Sequence, residues 1–432
     1  MNQNPDPPRE PKSLPSSMSD EAESSGNAHA SDLATLAESQ SEGRWRHLPL
    51  PDGPDQHPES EGRSVRLESG LRIVGARVRG RRHKHEGTNC DDWFDIATTG
   101  AWSIIAVSDG AGAKPFSRVG ARVACQSAIE TLCSRLSRHE LLDRDEWTPQ
   151  TFRYGESDFS YFEPDLAYLQ DALHEALESA RAATESAAAN RSNLPEHQSL
   201  LGRPLSPDDL WATLLLAVQI LVPYRGSSYS LVMTLQVGDG ISAALFRDGS
   251  PSILDNPDSG RYAGETIFVT STSSWSRADV YRRIYPFFSP MRALMVMTDG
   301  VADDYFPFES GLRRLYDDLV EHGIIEAPAS PASDAERRGP GDGSAGEQGN
   351  TEPALKVAAG DKRVDVDASE VDTGEGHGQI SDHSQITVDS VASPSPPLSD
   401  AAARLKAWLD TYYVRGSFDD RTLVVLYPEV RP

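Results

Sequence analysis

The chain has 432 residues, with 66 Asp and Glu against 41 Lys and Arg, and a formal net charge of −25. So acidic a balance excludes nucleic acid as a main partner, because phosphate contacts need a basic face. Cys90, Cys125 and Cys133 form no CxxC pair, which excludes a disulfide framework and a simple zinc motif and suits a reducing compartment. No apolar run approaches the roughly 20 residues of a membrane span. The polar N-terminus has no apolar signal core, so the expectation is a cytoplasmic protein without membrane contact.

Residues 1–68 read as a disordered leader rich in Pro, Ser, Asp and Glu, too polar to bury a core. Leu71 to Val78 reads as a first strand. A basic run follows (Arg81, Arg82, His83, Lys84, His85) and leads into GTNCDDWF, where Asp91 and Asp92 precede a strand. Such a run is a solvated loop or, beside a cation site, a phosphate-holding corner. Trp102 to Gly110 is a buried strand ending in Asp109-Gly110, and Ser117 is placed to cap a helix running to about Ser137. Asp165 to Ala189 is helical, with Leu166, Leu169, Leu173 and Leu177 as a core stripe. Ser192 to Pro207 reads as a loop.

Asp208 to Val222 is ambiguous by periodicity. Tyr229 to Val237 and Ile241 to Phe246 read as a hairpin around Gly238-Asp239-Gly240, so Thr213 to Leu221 is assigned to a strand of the same sheet. Gly249 to Pro286 is a polar excursion with a short strand near Glu265 to Thr270. Ala293 to Thr298 is a strand ending in Asp299-Gly300, and Gly311 to His322 is helical. Residues 326–398 read as a disordered acidic insertion looped out of one domain that spans 69–428. Asp400 to Tyr412 is a helix before the strand in FDDRTLVVL, which opens with Asp419 and Asp420.

Asp therefore sits at five strand ends: 91–92, 109, 239, 299 and 419–420. Packed sheets bring such ends together, and converging carboxylates repel unless a divalent cation with oxygen ligands joins them.

In their order, HKHEGTNCDDWF, IAVSDGAGAKPFSRVGA, WATLLLAV, LQVGDG, VMTDGVAD and DDRTLVVL resemble the metal-dependent protein serine/threonine phosphatases of type 2C, in their bacterial form. The resemblance implies an α+β fold, a four-layer α-β-β-α sandwich of two mainly antiparallel sheets with helices outside. It implies two Mn²⁺ or Mg²⁺ ions in a cleft at one end. Carried over by position, Asp92, Asp109, the Gly110 carbonyl, Asp299 and Asp419 correspond to metal ligands, and Asp239 to a carboxylate near a weaker third ion. Asp303 and Asp420 would support them, and Thr213 would be structural. The family's phosphate-gripping Arg has no unique counterpart; His83 is the first candidate and Arg82 the next. Many eukaryotic members carry His after the Asp-Gly, where this chain has Ala111.

The expected activity is hydrolysis of phosphoserine and phosphothreonine by direct attack of a metal-bridging hydroxide. The expected partners are a phosphorylated protein and a cognate Ser/Thr kinase or its targets. The alternative is a catalytically inactive phosphoprotein-binding module on the same fold, motivated by Ala111 and the long acidic segments.

Overall fold

The computed structural model describes residues 45–137, 163–224, 226–255, 266–271, 275–326, 399–411 and 417–429. Eleven strands run through them: β1 Ser60–Arg66, β2 Leu71–Val78, β3 Trp93–Thr99, β4 Trp102–Ser108, β5 Leu214–Tyr224, β6 Ser227–Val237, β7 Ile241–Phe246, β8 Pro251–Ile253, β9 Ile284–Ser289, β10 Met291–Met297 and β11 Arg421–Pro428. The helices are α1 Arg81–Glu86, α2 Ser117–Leu136, α3 Glu163–Arg191, α4 Pro195–Leu201, α5 Arg277–Tyr281, α6 Asp299–Ala302, α7 Phe308–Glu321 and α8 Ser399–Thr411.

Both sheets are antiparallel, ordered β1-β2-β11-β10-β7-β8 and β3-β4-β5-β6-β9. The central strands are apolar on both faces because both are covered. Along β4, Ile105 and Val107 meet the other sheet, while Trp102, Ile104 and Ala106 meet helices. The inter-sheet layer also holds Ile73, Phe94, Leu215, Val232, Val296 and Val424. Outside the five-stranded sheet, α2 and α3 pack through Ala124, Ala128 and Leu132 and through Leu169, Leu173 and Leu177. Outside the six-stranded sheet, α7 and α8 pack through Leu312, Leu315 and Leu319 and through Leu405, Trp408 and Leu409. The result is the expected α-β-β-α sandwich.

Four expectations need correction. The leader does not run unstructured to 68, because Ser60–Arg66 forms edge strand β1 on β2. Ahead of it, residues 45–59 lie as a strap held by cationic side chains. Arg79 donates to the Leu48 carbonyl (2.9 Å), Arg77 to that of Pro58 (3.3 Å) and Arg118 to that of Asp55 (2.7 Å). The Asp55 carboxylate takes two bonds from Arg191 (2.9 Å each) and one contact from His197 (2.8 Å). Residues 1–44 and 327–398 lie outside the described residues.

Second, β6 and β7 are not a hairpin. β6 pairs with β5 and β9 and β7 with β10 and β8, so Gly238-Asp239-Gly240 carries the chain from one sheet to the other. Gly238 has φ +113°, and a Cβ there would lie 2.4 Å from Thr213 Cγ2, so this tight crossing requires glycine. Third, the excursion after β7 has its strands at β8 and β9, and residues 266–270 are not a strand. The supposed loop after α3 likewise contains α4. Fourth, Ser117 does not cap α2: Phe116 holds the cap position, and the Ser117 hydroxyl donates to the Lys114 carbonyl at 3.1 Å.

Candidate active site

Antiparallel order gathers the Asp-bearing ends. β2, β4, β6 and β10 end where β3, β5, β7 and β11 begin, so Asp109, Asp239, Asp299, the 91–92 pair and the 419–420 pair meet at one end of the sandwich. Carboxylate oxygens of Asp109, Asp239 and Asp299 all lie within 4.8 Å of one another. No Lys, Arg or His forms an ion pair with these three among the described residues.

The backbone around Asp109 is firmly placed. Its amide donates to Thr213 Oγ1 (2.8 Å), and its carbonyl accepts from the Thr213 amide (2.8 Å). Thr213 is thus structural. Gly110 forms an antiparallel bridge with Ala212, whose hydrogen bonds are made by Asp109 and Ala111, so the Gly110 carbonyl is not spent on it. A Cβ on Gly110 would meet the Asp91 carbonyl at 2.7 Å. Asp239 Oδ2 accepts from Thr266 Oγ1 at 2.6 Å, and Asp299 opens α6. Asp92, 1% exposed, lies near enough to Asp109 for their charges to repel. Its Oδ2 accepts from Thr298 (3.0 Å) and Thr422 (2.7 Å).

Electrostatics follow from this crowding. Burial, with Asp299, Asp92 and Asp419 adding repulsion, pushes the Asp109 carboxyl well above the usual range. Burial and the Asp420 charge push Asp92 up as well. Asp299 rises to about 7 through burial and the charges of Asp239, Asp419 and Asp303. Asp303 is raised by burial and Asp239, which places it at the edge of the cluster.

The second group has its own cations. His83 Nδ1 lies 2.9 Å from Asp420 Oδ2 and His83 Nε2 3.6 Å from Asp419 Oδ1, while Arg82 donates to Asp419 Oδ2 at 3.1 Å. Burial alone would lower His83, but the bond to Asp420 and the charges of Asp420, Asp91 and Asp419 hold it at about 9. Burial would raise Asp420. The bond from His83 and those from the amides of Gly80 (2.6 Å) and Asp91 (2.6 Å) keep it low. Arg82 Nη2 is 3.4 Å from His83 Nε2, so both cationic tips face one corner beside Asp419. Gly112 sits at that corner, where a Cβ would lie 3.0 Å from Arg82 Nη2.

The structure thus brings Asp109, Asp239 and Asp299 together. It turns Asp419 towards Arg82 and His83, sets Asp92 against the hydroxyls of Thr298 and Thr422, and pairs Asp420 with His83. Asp91, named from the sequence only as the partner of Asp92, is buried and pushed up to about 7 by burial and Asp420. Sequence reasoning missed the hydroxyls of Thr266, Thr298 and Thr422. It also missed a wall beside Ala111, where Lys114 Nζ lies 3.7 Å over the Trp211 ring and Trp211 stacks on Phe268 at 5.1 Å. Thr298 directly before Asp299, and Thr422 two residues after Asp420, were the available signal for two of the hydroxyls.

Residues 79–326, more than half of the chain, match the family model of protein phosphatase 2C. The chain belongs to that family. A comparison with curated proteins gives no match. Among solved structures, the chain aligns with the PPM Ser-Thr phosphatase MsPP from Mycobacterium smegmatis, in complex with cacodylate. That alignment has a TM-score of 0.33 and 12% identity over 84% of this chain and 99% of that one. The phosphatase domain of the cell fate determinant SpoIIE from Bacillus subtilis aligns with a TM-score of 0.27 and 11% identity, over 86% and 94%. RsbX in complex with magnesium aligns with a TM-score of 0.33 and 9% identity, over 85% and 99%. No helix among the described residues is long and apolar enough to cross a membrane.

Proposed function

We propose that this chain is a metal-dependent phosphatase acting on phosphoserine and phosphothreonine of proteins. The supporting observation is the pairing of a cation-free triad of carboxylates, Asp109, Asp239 and Asp299, with an adjacent corner where Arg82 and His83 present N–H donors. Asp109 and Asp299, raised by burial and by neighbouring carboxylates and without a protein counter-charge among the described residues, suit divalent ions. An all-oxygen donor set suits Mn²⁺ or Mg²⁺ better than Zn²⁺. The triad would hold such ions, with the Gly110 carbonyl, Asp419 and Asp92 adjoining. When bound, they supply Lewis-acid activation of water and neutralisation of phosphoryl charge.

The remaining tasks fall to residues of the chain. Arg82 offers charge-assisted bonds to phosphoryl oxygens. Asp420 and the Asp91 amide fix the orientation of His83, and its protonated ring keeps Nε2–H available. That proton suits donation to the departing alkoxide of serine or threonine. The absence of His at Ala111 is consistent with His83 carrying this role. Lys114 on Trp211 supplies a further cation at the rim for acidic flanking residues of a substrate.

The test is hydrolysis of a phosphothreonine peptide and p-nitrophenyl phosphate with Mn²⁺, Mg²⁺ or EDTA, by the parent and Asp109→Asn. Metal-dependent turnover that Asp109→Asn loses is the expected result. Folded protein without turnover in either metal would sink the reading and favour the phosphoprotein-binding module.

A further inference from the structure

At the far end of the sandwich from the carboxylates, a cavity of about 250 Å³ opens between the two sheets. β2 and β10 begin there, β11 ends there, and β6 enters there, so its walls come from both sheets. The apolar part is formed by Leu71, Leu221, Met291 and Leu426, and the polar part by Ser228, Ser230, Arg247, Arg292 and Glu429.

Three features mark it as a ligand site. First, the inter-sheet layer turns polar beside it. Ser103, Gln219 and Ser230 share the strand faces that carry Ile105, Ala217 and Val232 in the apolar layer. Gln219 is 1% exposed and donates to Ser230 Oγ at 3.2 Å, yet its Oε1 and the Ser103 hydroxyl have no hydrogen bond among the described residues. Unpaired buried polar atoms are costly in an apolar layer; these two lie behind the cavity wall, and Gln219 connects to it through Ser230, which lines it. Second, the rim carries surplus positive charge in a chain of net charge −25. Glu429 is already paired with Arg66 (2.7 Å) and Arg72 (3.7 Å). The nearby Asp248 carboxylate accepts hydrogen bonds from Ser250 (2.8 and 2.6 Å), and its charge also faces Arg292, so it offsets part of the positive rim. Third, the two rim guanidiniums are steadied by backbone: Arg292 Nε donates to the Arg247 carbonyl (3.0 Å), and Arg247 Nη2 to that of Ser228 (3.4 Å). This leaves the Arg292 terminal nitrogens without a hydrogen bond among the described residues.

We infer that this cavity binds a small amphipathic carboxylate, its apolar body between the sheets against Leu71, Leu221 and Met291 and its head group on Arg247 and Arg292. Neither a bare inorganic anion nor a neutral alcohol satisfies both halves of the wall. The inference is independent of the phosphatase reading, because no residue of the acidic end takes part.

The full chain is titrated with octanoate by calorimetry, with octan-1-ol and inorganic phosphate as comparison probes. Saturable one-to-one binding at about millimolar affinity or better is expected for octanoate. Arg292→Gln and Arg247→Gln should each weaken it by about tenfold while leaving the melting temperature close to that of the parent. No saturable octanoate binding would overturn the proposal. So would equal binding by the double variant, octanol binding as tight as octanoate, or phosphate binding in preference to it.

Discussion

The acidic end of the molecule contains two clusters of similar composition and opposite electrostatics. Asp109, Asp239 and Asp299 face one another without a cationic side chain paired to them among the described residues, and burial with mutual repulsion lifts Asp109 and Asp299 above the usual carboxylate range. In the adjoining cluster Asp420 is more deeply buried than any of the three, yet His83 and two backbone amides hold it low. Burial therefore does not decide what a buried Asp is for; the partners do. A satisfied carboxylate steadies the fold, whereas a cluster left without counter-charge costs stability and is a candidate site.

The largest expected effect breaks the first cluster. Replacing a residue that merely supports a metal ligand costs about 10–100-fold. Asp299→Asn, which alters the cluster itself, should reduce Mn²⁺-dependent phosphopeptide turnover by at least about a hundredfold. The same variant should raise the melting temperature of the EDTA-treated protein, because one repelling charge is gone. A drop in that temperature would show that Asp299 is a structural residue like Asp420.

Asp420→Ala tests the other half. It leaves His83 and two amides buried without their acceptor, and about 3–5 kcal/mol of stability should be lost, as read by urea unfolding. A change within experimental error would erase the contrast between the clusters.

The pH responses also differ. Asp299 titrates at about 7 when folded against an ordinary 3.8. Its contribution to metal-free stability is therefore fully present below about 3.8 and lost as pH rises through about 7. The melting-temperature gain on adding Mn²⁺ should accordingly grow as pH rises through 7; a gain flat from pH 5.5 to 8.5 would contradict this. His83 is held at about 9 against an ordinary 6.5, so its pairing contributes fully below about 6.5 and fades as pH passes about 9. The stability difference between parent and His83→Gln should shrink over that interval.

The smallest effect concerns Thr266, which donates to Asp239. Thr266→Val should weaken Mn²⁺ binding by about tenfold, at the low end for a residue behind a metal ligand, and should spare the melting temperature of the metal-free protein. Calorimetric titration distinguishes this from no role at all.

The Asp-bearing strand ends were legible because each adjoins an apolar run long enough to be a buried strand, and an antiparallel sandwich collects alternate ends. Less legible was the link at Gly238 to Gly240: three residues between two strands read alike as a hairpin and as a crossing between sheets, and only the packing against Thr213 separates them. β1 and β9 were hidden for other reasons. β1, SEGRSVR, is polar because it is an edge strand with few buried positions, and β9, IYPFFS, carries a proline at an outer strand. The division of labour among Asp91, Asp92, Asp419 and Asp420 could not be read from adjacent letters, because it depends on which oxygen meets Thr298, Thr422, Arg82 or His83. The far cavity left no trace beyond isolated polar residues within apolar strands.

The strap of residues 45–59 bears on how this chain can change over evolution. Its carbonyls and the Asp55 carboxylate are acceptors for Arg77, Arg79, Arg118 and Arg191, the first two fully enclosed. Deleting the strap would strand these guanidiniums beside the acidic end, so insertions and losses should accumulate ahead of Trp45 and be purged between Trp45 and Arg66. A low-complexity opening thus passes abruptly into an immovable one, and the border lies well upstream of the point where residue composition changes.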